Sequence, residues 1–181
     1  MKTLLSLLLA FLPVLALAQE LPRIDNKIVY SEVVPVEGAQ AELYARAVKA
    51  ITPSAKEVIK QESNAVAWQD SKQLMVATNT TRLALQLKYS VILQQKDGRY
   101  MYSITDFLIE EKRIKGLVPL EESTFMQPVP EKHYFPNGNL KPLGLAHQNL
   151  STAHKEAIEK AVTDEIQRIK MIMGTPTSAD W

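Results

Sequence analysis

Three histidines, His133, His147 and His154, are the side chains of this sequence best suited to general acid–base work or metal ligation near neutral pH. Their spacing supports neither role. No two form an HxH or HExxH arrangement, and the sequence contains no cysteine to complete a zinc set. A serine nucleophile would call for a GxSxG turn, which is absent, and a thiol nucleophile is excluded by composition. Residue types and spacing therefore give no catalytic, cofactor-binding or metal-binding residues, and exposed or helix-capping histidines are the expectation. The enzymatic alternative is a hydrolase-type site in which His133 or His147 meets a carboxylate only after folding.

The N-terminal segment carries a clearer message. Lys2 precedes an apolar run from Thr3 to Leu15, interrupted by Ser6 and Pro13, which ends in Ala16-Leu17-Ala18. A basic start, an apolar core and a small-x-small end predict a signal peptide over residues 1–18, cut after Ala18. A spanning helix needs roughly 20 apolar residues; this run is shorter, and no later stretch could cross a bilayer. The expected location is exported, periplasmic or secreted, with no membrane span after cleavage. The chain has 21 Lys+Arg against 20 Asp+Glu, a net charge of +1, and loss of Lys2 leaves it formally neutral. A neutral exported chain has no electrostatic footprint for a phosphate backbone, so no nucleic acid is expected as a partner. Without cysteines, stability in an oxidising compartment rests on packing alone.

The elements that would position any site are legible from pattern. Lys27–Val36 is rich in β-branched residues and reads as a strand closed by Gly38. Leu43, Tyr44, Ala47, Val48 and Ile51 then recur at helical steps, with Glu42, Arg46 and Lys49 assigned to the other side. Thr52-Pro53 ends that helix, while Gly38-Ala39-Gln40 offers it no polar cap. Strands are expected around Glu57–Glu62 and Gln73–Ala77, with turn chemistry at Ser63-Asn64 and at Gln69-Asp70-Ser71.

The strongest signal is Asp97-Gly98 between two long alternating runs, which predicts a two-residue type I′ hairpin. Pairing Lys96 with Arg99 sets Leu87, Val91 and Leu93 opposite Leu108, Ile104 and Tyr102, every pair apolar or aromatic. The same register sets Asp106 on the apolar face opposite Tyr89. A carboxylate there is costly unless Tyr89 or Arg82 satisfies it, or a β-bulge turns it outward. Residues 117–150 mix prolines and glycines with Leu117, Leu120, Phe125, Tyr134, Phe135 and Leu143, and read as an irregular strap pressed onto the domain. A long amphipathic helix follows over 151–173, with Ser151 as its N-cap and Gly174 as its stop. Its apolar stripe is Ile158, Ala161, Val162, Ile166, Ile169, Ile172 and Met173.

Four stretches, Lys27-Ile-Val-Tyr30 with Val33-Val-Pro-Val36, Ala41 to Ala47, Asp97-Gly-Arg-Tyr-Met-Tyr102 and Pro119-Leu-Glu-Glu122, resemble an exported Bacteroidota-type family of unknown function with a TBP-like fold. The resemblance covers roughly residues 27–122 and implies an α+β fold in the order β-α-β-β-β-β-α: a curved antiparallel sheet with helices packed on one face. It implies no activity and no cofactor. The core would then span residues 27–116, with the strap and the last helix added to it.

One surface is left over by this arrangement. The second face of the hairpin carries Gln86, Lys88, Ser90, Ile92 and Gln94 against Ile109, Phe107, Thr105, Ser103 and Met101. That mixture suits neither a plain core nor a plain solvated surface. Lys88, Ile92, Met101, Thr105 and Phe107 form the candidate binding face, and cover by the strap through Phe125, Tyr134 or Phe135 is its structural alternative. The functional expectation is an exported, non-enzymatic binding module for an unknown protein or small molecule. The alternatives are the hydrolase-type enzyme using a strap histidine and an envelope structural component.

Overall fold

A computed structural model of the chain describes residues 21–51, 57–78, 82–111 and 116–175. The expected signal peptide, Thr52-Pro53 and the chain's last residues lie outside them. Among the described residues, eight strands and two α-helices follow in the order β1 (Arg23–Ile24), β2 (Lys27–Ile28), β3 (Tyr30–Pro35), α1 (Gln40–Lys49), β4 (Glu57–Glu62), β5 (Ala65–Ala77), β6 (Arg82–Lys96), β7 (Arg99–Glu111), β8 (Gly116–Pro119) and α2 (Pro142–Gly174). Strands β3 to β8 form one antiparallel sheet in the order β3-β7-β6-β5-β4, with β8 also pairing β7. The large elements run β-α-β-β-β-β-α, as the resemblance implies.

Alternation explains which side of the sheet is core. Val66, Trp68, Leu74 and Val76 of β5, Leu87, Val91 and Leu93 of β6, and Tyr100, Tyr102 and Ile104 of β7 are all buried. They join Leu43 and Ala47 of α1 and Ile158, Ala161, Val162, Ile169 and Met173 of α2 in a single apolar cluster. Both helices therefore cover one face. The stripe read from α2 is the stripe it buries, with Ile166 and Ile172 at its margin.

The β6–β7 hairpin follows the expected register from Lys96–Arg99 to Ser90–Thr105 and then departs from it. Beyond that point Lys88 pairs with Leu108 and Leu87 with Ile109, so Asp106 and Phe107 together face the single residue Tyr89. Asp106 takes a positive φ of 52°, which aspartate tolerates better than a bulky residue does. The extra residue is a β-bulge, and it reverses the faces of everything after it. Asp106 is thereby exposed and ion-paired to Lys27 at 3.2 Å. Phe107 and Ile109 turn into the core, at 1% and 0% exposure. Phe107 meets Tyr30 edge-on at 5.9 Å and Tyr89 at 6.1 Å between ring centroids. The placing of Phe107 on the open face is thus corrected, and Leu108 takes the outward position in its stead.

Other departures have local causes. Only Gly98 adopts a positive φ in the Asp97-Gly98 turn, 73°, whereas a type I′ turn needs two. Asp97 instead turns its carboxylate to α1, where it accepts the Gln40 backbone N–H at 2.7 Å. The helix that lacks a cap in sequence is capped across the tertiary structure. The same turn clasps the chain before α1, through Val36 N–H to Gly98 O and Gly98 N–H to Gly38 O, both 3.0 Å. Two positive φ values, 49° and 65°, do occur at Asp25-Asn26, which join β1 to β2 in a small hairpin.

Gln69-Asp70-Ser71 is no turn: β5 runs straight through it, paired with Tyr89 at Asp70. Arg46 is buried, not on the solvated side of α1. Its guanidinium donates to Met173 O at 2.7 Å and Glu37 O at 3.2 Å and pairs with Glu42 at 2.5 Å. It thus binds α1 to the C-terminal end of α2, where helix carbonyls lack partners. Helix α2 starts at Pro142, nine residues before Ser151, because proline is favoured in a first turn that needs no N–H from it. Ser151 lies inside the helix and donates its hydroxyl to Phe125 O.

The bulge yields a direct test. Phe107→Ala is expected to lower the unfolding free energy by about 3–5 kcal/mol. Leu108→Ala, on the outer face, is expected to cost about 1 kcal/mol or less. Urea unfolding of the two variants distinguishes this arrangement from the unbulged ladder, which would make Leu108 the costly position.

Candidate functional site

The open face can be read across the strands as rows of paired residues. One row runs Ala65, Gln94, Met101, Val33; the next runs Ala67, Ile92, Ser103, Ser31; a third runs Gln69, Ser90, Thr105; and beyond the bulge stand Ser71, Lys88, Leu108 and Pro119. Lys88, Ile92, Met101 and Thr105 are half-buried here, and Val33 is 56% exposed. Small residues such as Ala65, Ala67 and Ser90 lie low between longer neighbours and are buried. The face therefore keeps four of the five residues read from the sequence and loses Phe107 to the core.

The strap takes a different path from the one that would cover this face. Its first residues extend the sheet as β8. Three 3-10 turns follow at Leu120–Glu122, Thr124–Met126 and Glu131–His133. Leu120 and Phe125 join the helix-side core, and Glu121 accepts the Ile28 N–H at 2.7 Å. Tyr134 and Phe135 are exposed, and the loop that carries them closes through a Tyr134–Leu140 bridge. This loop packs on Gly144, where a Cβ would come within 2.8 Å of His133 O.

The histidines are dispersed. His154 is buried in the interior of α2, stacked on Phe125 at 4.1 Å, with Nδ1 2.6 Å from Leu150 O. It is neither exposed nor a cap, because it continues the α2 stripe one turn before Ile158. Among the described residues, His133 and His147 make no hydrogen bond or ion pair to an acid, and no group of three or more His, Asp and Glu could hold a metal ion.

A polar seam under α2 went unread in the sequence. Asp70, Tyr89 and Glu165 are buried, and Arg168 grips Glu165 through two hydrogen bonds of 2.9 and 2.6 Å. Strand alternation from Trp68 and helical spacing from Ala161 and Ile169 both place these acids on the core side. The mistaken turn at 69–71 hid the first, and the apolar stripe drew attention from the second. Asp70 also accepts the Ser71 N–H at 2.7 Å. At the far edge Glu32 joins Tyr102 at 2.8 Å to Lys170 at 2.6 Å, and these two hydrogen bonds hold its carboxyl below the usual range.

This arrangement of sheet and helices is similar to that of proteins already solved. It is a TBP-like fold. A DUF4468 family protein from Bacteroides ovatus superposes with a TM-score of 0.58 at 15% identity, over 87% of this chain and 92% of that one. A TBP-like protein from Parabacteroides distasonis gives 0.55 at 14% identity, over 83% and 97%. No family model matches the sequence, and no curated protein does. At such identities the TBP-like likeness establishes the fold alone, in agreement with the resemblance read from the four sequence stretches.

The core side makes a pH prediction. Burial raises the phenols of Tyr30, Tyr89, Tyr100 and Tyr102, and nearby carboxylates add to it: Glu159 for Tyr30, Glu165 and Asp70 for Tyr89, Glu32 for Tyr100 and Tyr102. Tyr100 is pushed up to about 12. An unfolded chain ionises its phenols near 10, so the folded chain binds more protons above that pH. Stability is then full below about pH 10 and falls as pH rises through the raised values. Thermal unfolding followed by circular dichroism should show a melting temperature that drops steeply above pH 10. The tyrosinate absorbance of these four residues should rise together with unfolding rather than before it.

Proposed function

We propose that this chain is an exported, non-enzymatic binding module whose partner, a protein or a small molecule, docks on the open sheet face through Lys88, Ile92, Met101 and Thr105. The observation that carries this reading is the disposition of cover. Both helices and the strap residues Leu120 and Phe125 lie against the other side, so a face of mixed polarity keeps its apolar side chains half in water. Isolated exposed apolar residues need no explanation, but a continuous band across three strands is a surface suited to contact. Thr105, Ser103 and Gln94 supply hydrogen-bonding groups between the apolar positions, as interface rims do.

Export to the periplasm or the exterior is supported by Lys2, the apolar run after it and Ala16-Leu17-Ala18. Among the described residues no helix is long and apolar enough to cross a membrane. A non-enzymatic role is supported by the dispersal of His133 in a strap turn and of His147 and His154 along α2.

The test uses the protein in its own cells. A photo-crosslinking side chain placed at Ile92 should capture a defined partner or ligand. The same group at Met171, exposed on the outer side of α2, should not. Sequencing of the mature protein should begin at Gln19. Equal capture at both positions, or none at Ile92, overturns the binding-face reading.

A further inference from the structure

The hairpin end of the open face has an electrostatic peculiarity that names a ligand class, and this inference rests on the sheet-face reading above. Lys96 and Arg99 pair directly across the ladder, on the same face as the Gln94–Met101 pair. Like charges so placed repel. Among the described residues neither cation forms an ion pair. Two nearby acids are engaged elsewhere: Asp97 on the Gln40 N–H at 2.7 Å, and Glu62, at the end of the Gln94 row, on Lys60 at 2.9 Å. Between the cations and the next row lies an open depression of about 260 Å³, lined by Val33, Gln94, Lys96, Arg99, Tyr100 and Met101. Its lining holds two positive charges, no negative one, and two aliphatic side chains.

We infer that this depression binds a small anionic amphiphile. Its carboxylate or comparable head would sit between Lys96 and Arg99, and its short apolar part on Val33 and Met101. A bare anion gains little from two solvated cations, and an uncharged apolar molecule leaves their repulsion in place; a molecule with both parts answers both features. The volume falls just below the range of ordinary ligand pockets, roughly 300–1,000 Å³, which fits a short chain or single ring better than a long lipid. Arg99 offers a planar fork to a carboxylate and Lys96 a point charge beside it.

Octanoate, used below its micelle concentration, is the probe. In a nuclear magnetic resonance titration of the full chain it should shift the Met101 methyl and the Lys96–Arg99 amides in a saturable way. Acetate, which has the head without the tail, and octyltrimethylammonium, which has the tail with the opposite charge, should leave them in place. Lys96→Glu is expected to weaken octanoate binding at least tenfold. It replaces a repulsive pair with an attractive one, so it should fold at least as stably as the parent. Equal shifts with octyltrimethylammonium would mean a merely apolar patch, and unchanged binding by Lys96→Glu would place the anion elsewhere; either overturns the inference. Partner capture at Ile92 without any octanoate response would overturn the ligand class and leave the sheet-face reading standing.

Discussion

Side chains on a strand alternate between two faces, so a single added residue reverses the assignment of all that follow it. In this protein that residue sits at the Asp106 bulge of β7, and much of the architecture depends on it. Before the bulge β7 has β3 along its edge, paired over Tyr30–Pro35; after it the same edge takes β8, paired over Gly116–Pro119. The bulge lies between the two partners, where the edge is free to bend. It sends Asp106 to water and Phe107 and Ile109 inward. An unbulged strand would bury a carboxylate opposite Tyr89 and leave an aromatic ring outside, a costly exchange on both counts.

The helices are fixed to this sheet by polar ties as well as by apolar contact. Asp97 caps α1 from the hairpin turn, and Arg46 of α1 reaches the last carbonyls of α2. Lys170 of α2 pairs with Glu32 of β3 at 2.6 Å. Each tie joins segments far apart in the chain, 57 residues for Asp97 to Gln40 and 127 for Arg46 to Met173. A buried group such as Arg46 adds little net stability, but removing its partner leaves it unsatisfied. The ties therefore select one helix arrangement among the several that a smooth apolar interface would tolerate. The strap contributes in the same sense, with Phe125 stacked on His154 and Ser151 bonded back to the strap backbone.

These ties lie on the helix side of the sheet, and the second face carries none of them. Its composition reflects that freedom: small residues low in the rows, half-buried Ile92 and Met101 between hydroxyls and amides, and, among the described residues, cations without an ion pair at the hairpin end. A surface needed only for solubility would carry interspersed charges of both signs. The Lys96–Arg99 pair, with Asp97 and Glu62 engaged elsewhere, departs from that pattern where the depression lies.

The amino-acid sequence by itself determined what depends on periodicity and on local turn chemistry. The α2 stripe, the α1 stripe, the Asp97-Gly98 turn and the first pairs of its ladder all follow from spacing, since a helix or strand buries whatever its period brings to one side. Mixed polarity on the second hairpin face was legible for the same reason as far as Thr105. Tertiary structure alone decided the rest. The bulge depends on two different strands sharing the edge of β7, which no window of sequence contains. Burial of Arg46, Asp70, His154 and Glu165 depends on partners distant in the chain, so polar residues that look solvated became interior ones. The early start of α2 was hidden by Gly144, whose local preference yielded to packing of the Tyr134–Leu140 loop against it, while Pro142 stands in a first turn that suits it. Which face lies open followed last, because it is settled only when every covering element has found its side.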